Sequence, residues 1–199
     1  MRHFLLSAIV IFLFAACAKV VPAISEYRIN SNIYELKFED KVCHDKSLKV
    51  AQAFSANTLM NMDIMYGVGE HSQYRYNQSK WVQAPNAAIT SEIVNFMKAT
   101  NIFSSVSVPK SRMKSDFVLE TNIEDFMQYF DKEMKNSFVK IAITFSLIET
   151  KTNSVVATKS IMIQTPVQTL DAEGGVIALN KALKELLEQS GVWLGGICK

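Results

Sequence analysis

The chain has 199 residues, 49% of them hydrophobic, with 21 Lys and Arg against 19 Asp and Glu. That hydrophobic share fills the core of one domain of ordinary size, and a near-neutral balance without a clustered basic face excludes a nucleic-acid binder. Three histidines and three cysteines, with no C-x-x-C or H-x-x-x-H spacing among them, exclude the usual zinc shells.

In chain order the first element is a leader. Arg2 and His3 precede an apolar run over residues 4–16, the charged-then-apolar order of a secretory signal peptide. A helix needs roughly 20 residues to cross a hydrocarbon core, so the run is expected to be an address, residues 1–16, and not a permanent span. It ends Leu13-Phe14-Ala15-Ala16-Cys17. Small residues just before a cysteine resemble a bacterial lipobox, in which that cysteine becomes the first mature residue and carries acyl chains such as palmitate on its sulfur and amine. Phe14 stands where leucine is usual. The other reading is ordinary secretion with cleavage after Ala16, which would leave a free thiol in an oxidising compartment. Cys17 is therefore the candidate lipidation site. Ala18 follows it where inner-membrane retention in enteric bacteria usually needs Asp, so the resemblance implies the outer membrane, on its periplasmic face. Residues 17–24 are expected to be the lipidated cysteine and a tether, with Pro22 disfavouring helix, and residues 25–199 a single domain.

Within that domain, residues 26–29 and 47–54 read as short strands, with residues 32–45 between them ambiguous. Residues 62–66 and 73–76 read as a hairpin turned by Gly67 and Gly69. Asn86 is the expected N-cap of a helix running to about Thr100, because Ile89, Ile93, Phe96 and Met97 recur at helical spacing. A strand over residues 102–108 follows. Val139, Ile141, Ile143, Phe145 and Leu147 then alternate with smaller or polar residues, the pattern of a half-buried antiparallel strand. Residues 116–130 and 154–164 flank it, so a three-stranded meander is expected, with Thr152-Asn153 as its second turn. Asp171 is the expected cap of a last helix striped by Val176, Leu179, Leu183, Leu186 and Leu187, ending near Gly191. The sum is an α+β fold: a mainly antiparallel β-sheet with two main helices packed on one face.

The search for chemistry returns little. His44 and His71 fall in expected loops, and no G-x-S-x-G, P-loop or H-E-x-x-H occurs. Glu120, Glu124 and Asp125 are explained by a solvated strand face. No catalytic residue, metal ligand or cofactor is assigned, and the chain reads as a non-enzyme. Cys43 and Cys198 form a candidate disulfide, the even pair left once Cys17 is lipidated; two separate buried thiols are the other reading. Trp81 reads as a core ring at a strand-to-helix junction, whereas Trp193, Tyr74 and Tyr76 are the candidate partner contacts.

Residues 69–106, GEHSQYRYNQSKWVQAPNAAITSEIVNFMKATNIFSSV, and residues 171–194, DAEGGVIALNKALKELLEQSGVWL, carry a further signal. A tyrosine-bearing strand, the triplet Ser79-Lys80-Trp81, an amphipathic helix, an Ile-Phe-then-Val strand and a closing helix ending in tryptophan resemble the ABC-type transport auxiliary lipoproteins, the family that includes the lipoprotein of the paraquat-inducible lipid-transport system. Lys80 replaces the family's usual arginine and so lacks its planar fork of donors. The resemblance implies a lipoprotein that serves an inner-membrane permease, a cytoplasmic ATPase and a mammalian cell entry (MCE) domain protein in moving lipids or hydrophobic compounds across the envelope. It further implies a docking role and a homo-oligomeric ring around an MCE tube. A periplasmic lipid-binding shuttle and a structural envelope lipoprotein unrelated to transport are the rival readings.

Overall fold

The computed structural model describes residues 22–32 and 43–197. The leader, Cys17 and Cys198 lie outside the described residues, as does most of the ambiguous 32–45 stretch. In chain order the elements are β1 (Ser25–Tyr27), β2 (Cys43–Val50), β3 (Phe54–Ser55), a 3-10 turn (Asn57–Leu59), β4 (Asp63–Val68), β5 (Ser72–Trp81), α1 (Pro85–Thr100), β6 (Phe103–Ser107), β7 (Phe117–Phe130), β8 (Ser137–Glu149), β9 (Ser154–Pro166) and α2 (Ala172–Ile197).

The long meander is present. β8 runs antiparallel to β7 along its whole length and β9 runs antiparallel to β8. The clean alternation of β8 buries Val139, Ile141, Ile143, Phe145 and Leu147 on one face. β7 alternates less regularly because a bulge between Ile123 and Asp125 inserts one residue. Before it Phe117, Leu119, Thr121 and Ile123 face inward; after it Phe126, Gln128 and Phe130 do, the change of parity an extra residue must produce.

The other side of β7 was not expected. Three strands pair with it in turn, all parallel: β2 with Leu48 opposite Phe117, β3 with Phe54 opposite Asn122, and β4 with Tyr66 opposite Gln128. β1 joins β5, and β6 joins β2, also in parallel. The sheet is therefore mixed, with its longest ladders antiparallel and β7 as its spine. α1 and α2 cover its inner face, and Ile89, Ile93, Phe96, Leu183, Leu186 and Leu187 are shut off from solvent within one hydrophobic cluster. The fold is α+β, with the leucine stripe serving as core.

Local boundaries differ where packing overrides local preference. The expected strand over residues 47–54 starts at Cys43, breaks after Val50 and resumes at Phe54. α1 begins at Pro85, with Ala84 as its cap and Asn86 already inside the helix, where its carbonyl accepts a hydrogen bond from Thr90 Oγ1 at 2.7 Å. Pro suits the first helical position because its missing N–H would have no helical partner there. Gly69 makes the hairpin turn with φ of 62°, a conformation natural to glycine, while Gly67 lies inside β4 beside the ring of Tyr129. α2 does not stop at Gly191 but continues to Ile197, because Leu194 is buried and Trp193 and Ile197 pack on the core. Asp171 caps α2 as expected, its Oδ1 accepting from the Gly174 amide at 2.8 Å.

Candidate functional surface

The β4–β5 hairpin brings the tyrosines to one end of the sheet. Tyr66 faces Tyr74 across the ladder, and Tyr74 and Tyr76, two apart on β5, share a face. The Tyr66 ring stacks on Tyr74 at 5.6 Å, lies 4.5 Å from Tyr76, and meets Phe130 edge-on at 5.6 Å. Tyr74 stays 50% exposed. Tyr76 turns inward, and its hydroxyl donates to Gln128 Oε1 at 2.9 Å while Gln128 Nε2 donates to Ser137 Oγ at 2.9 Å.

Gln128 is only 1% exposed, so both ends of a buried amide are satisfied by these two hydroxyls. Burial pushes the Tyr76 hydroxyl well above its ordinary value, and Tyr66 and Asp171 add to the shift. The phenol therefore stays a protonated donor at neutral pH. The first turn of α2 presses on the same amide: a Cβ at Gly175 would lie 2.1 Å from Gln128 Oε1, so only glycine allows the helix this close. The cluster ties β4, β5, β7, β8 and α2 together, with one aromatic face, Tyr66 and Tyr74, turned outward. Sequence reasoning singled out Tyr74 and Tyr76 and missed Tyr66, Gln128, Ser137 and Gly175. Tyr66 had a readable signal, its place opposite Tyr74 in the hairpin; Gln128 had none, because the bulge reverses its parity.

The remaining candidates occupy structural positions. Trp193 lies inside α2, half-buried, its ring 6.3 Å from that of Phe145. Trp81 is 3% exposed and 5.9 Å from Phe126, the core plug expected of it. Cys43 is buried and disulfide-bonded; its expected partner, Cys198, lies outside the described residues. Glu120 and Glu124 are exposed, but Asp125, at the bulge, accepts from the Tyr129 hydroxyl at 2.7 Å and pairs with Lys140 Nζ at 3.0 Å. Burial first, then Asp125, raise the Tyr129 hydroxyl pKa. That triad is a satisfied ion pair. His44 and His71 are both exposed. Among the described residues no group of three or more His, Cys, Asp or Glu could hold a metal ion, and no helix is long and apolar enough to cross a membrane.

The chain's entry into the domain is fixed by side chains of both helices. The Asn30 amide donates to Asn180 Oδ1 at 2.9 Å, Asn180 Nδ2 donates to the Arg28 carbonyl at 3.2 Å, and both the amide and the hydroxyl of buried Ser31 donate to Glu92. Residues 28–31 are thus strapped to both helices.

Comparison with known proteins completes the assignment. No curated protein matches the chain. Among solved structures, a protein from Xanthomonas campestris described as DUF330 is similar in fold at 15% identity and a TM-score of 0.68, over 86% of this chain and 91% of that one. An uncharacterised protein is similar at 13% identity and 0.66, over 86% of this chain and 99% of that one. A hypothetical protein of Chlamydia trachomatis is similar at 9% identity and 0.54, over 77% of this chain and 97% of that one. Residues 41–189, which hold the tyrosine hairpin, the meander and most of α2, match the family described as ABC-type transport auxiliary lipoprotein component, and the chain belongs to that family.

Proposed function

We propose that this auxiliary lipoprotein is the outer-membrane-anchored, periplasmic docking part of an MCE-type ABC transport system that moves lipids or other hydrophobic compounds across the envelope, and that it catalyses no reaction. The observation that carries the reading is the family match over residues 41–189. Cys17 supplies the anchor in this reading. Acylated on sulfur and amine, it holds far better than one chain, whose membrane binding is marginal and reversible, and the domain surface is left free to receive the MCE protein with its permease and ATPase. The filled inner face of the sheet supports docking over carriage, since the leucine stripe that a lipid shuttle would open is packed as core. A homo-oligomeric ring seated on the end of an MCE tube belongs to the same proposal.

Of the three aromatic candidates, Tyr74 is the one that keeps an exposed ring, and tyrosine is enriched among residues that dominate interfaces. Tyr76 supports that surface from beneath through Gln128, while Trp193 packs on Phe145. A photo-crosslinking amino acid placed at Tyr74 in cells is expected to capture the MCE protein, while the same group at exposed Val192, on α2, gives none. Capture from Val192 alone would move the docking face to α2.

A further inference from the structure

The solvent side of α1 forms one wall of a groove of about 400 Å³, within the range that small-molecule sites occupy. Ala87, Ser91, Val94 and Lys98 line that wall, spaced four, three and four residues apart, which is one stripe of a helix. The facing wall is Val108, Pro109 and Lys110. The Ser111 amide donates to the Val108 carbonyl at 3.0 Å, closing a β-turn with Pro109 at the position proline favours, so Lys110 stands on a defined turn. The segment is held at both ends. Lys49 Nζ donates to the Ser111 carbonyl at 3.0 Å, and the Ser47 hydroxyl donates to Asp116 Oδ2 at 2.6 Å.

The charge in the groove is of one sign. Two lysines and no carboxylate line it, both lysines are exposed, and among the described residues neither pairs with an acid. Arg112 and Lys114, exposed on the same segment, add to the positive field. Gln83 is shared with a smaller cavity of about 190 Å³ lined also by Arg28. Val108, 44% exposed, and Pro109 give the groove an apolar patch beside the polar side chains of Gln52, Thr90 and Asn95. An apolar patch flanked by cations that pair with no acid is complementary to an anion that carries hydrocarbon. Basic clusters beside a membrane recognise anionic headgroups by the same charge matching.

We propose that this groove binds the anionic headgroup of a phospholipid, with Lys98 and Lys110 on the phosphate and the glycerol and first methylenes against Val108 and Pro109. The source of the lipid rests on the anchor reading: the residues between Cys17 and Ser25 span at most about 30 Å, which keeps the groove near a leaflet. Lys98 also meets the negative end of the α1 dipole; Lys110 has no such second role and contributes more to binding.

The test is native mass spectrometry of the full-length chain, produced with its own leader and extracted in neutral detergent. It is titrated with phosphatidylglycerol, with phosphatidylcholine of the same chains, and with inorganic phosphate. One phosphatidylglycerol is expected to bind at least about fivefold better than phosphatidylcholine, the effect of one favourable charge contact. Lys110→Glu is expected to erase that preference and Lys98→Glu to reduce it, with melting temperatures unchanged. Equal adducts for both lipids, or a preference that survives both substitutions, would overturn the proposal, the latter placing the lipid elsewhere on the protein. Phosphate binding as well as phosphatidylglycerol would reassign the groove to a free anion. The same spectra read the acyl mass at Cys17, so failure of the anchor and failure of the groove are seen separately.

Discussion

Tyr74 and Tyr76 stand two positions apart on β5 and are held by different forces. Tyr74 has a stacking contact with Tyr66 and open solvent beyond it; Tyr76 supplies the donor that a buried amide needs. Removing the Tyr76 hydroxyl would strand Gln128 Oε1 in the core, and a buried acceptor without a donor costs roughly 1–3 kcal/mol. Tyr76→Phe is therefore expected to lower the unfolding free energy by about that amount in a denaturant titration, with the slope of the transition unchanged. A change below about 0.5 kcal/mol would mean that solvent satisfies Gln128, and the cluster would lose its structural role. The same residue pair shows what the sequence could and could not convey. The hairpin placed the tyrosines on one face, but the partner beneath them comes from a strand whose inward parity flips at a bulge, and no local pattern announces that flip.

At the scale of elements, the long meander and both helices were legible because each buries one face at its own period. The leucines of α2 and the apolar odd positions of β8 need only local spacing to be read. The parallel partners of β7 were not legible, since β2, β3 and β4 reach it from tens of residues away and parallel pairing leaves no turn signal between strands. The run past Gly191 was hidden for a related reason: glycine's helix penalty of about 1 kcal/mol is outweighed by burial of Leu194 and packing of Trp193 on Phe145. That extension brings the end of α2 directly to Cys198. Cys43 opens β2, with its amide on the Ile102 carbonyl at 3.1 Å, so a bond between Cys43 and Cys198 would fasten the last helix to the strand beside β6. Reduction is then expected to destabilise the protein by about 2–5 kcal/mol. Identical melting with and without reductant would remove the bond from the account.

At the scale of the molecule, the parts agree on one use. An N-terminal strap over residues 28–31 is fixed to both helices by Asn180 and Glu92. The helices seal the inner face of the sheet, and the aromatic hairpin and the cationic groove remain on the outside. In the proposed reading such a body is held at a membrane and touched at these two surfaces. The claim on which this depends is that the protein works against an MCE-type transporter. The measurement that tests it most directly is affinity purification of the tagged protein from native membranes in mild detergent, with the co-purifying proteins identified. The account predicts an MCE-domain protein together with its permease and ATPase, retained by the parent protein and reduced in a Tyr74→Ala variant of equal abundance. Recovery of the acylated protein with none of the three would contradict it.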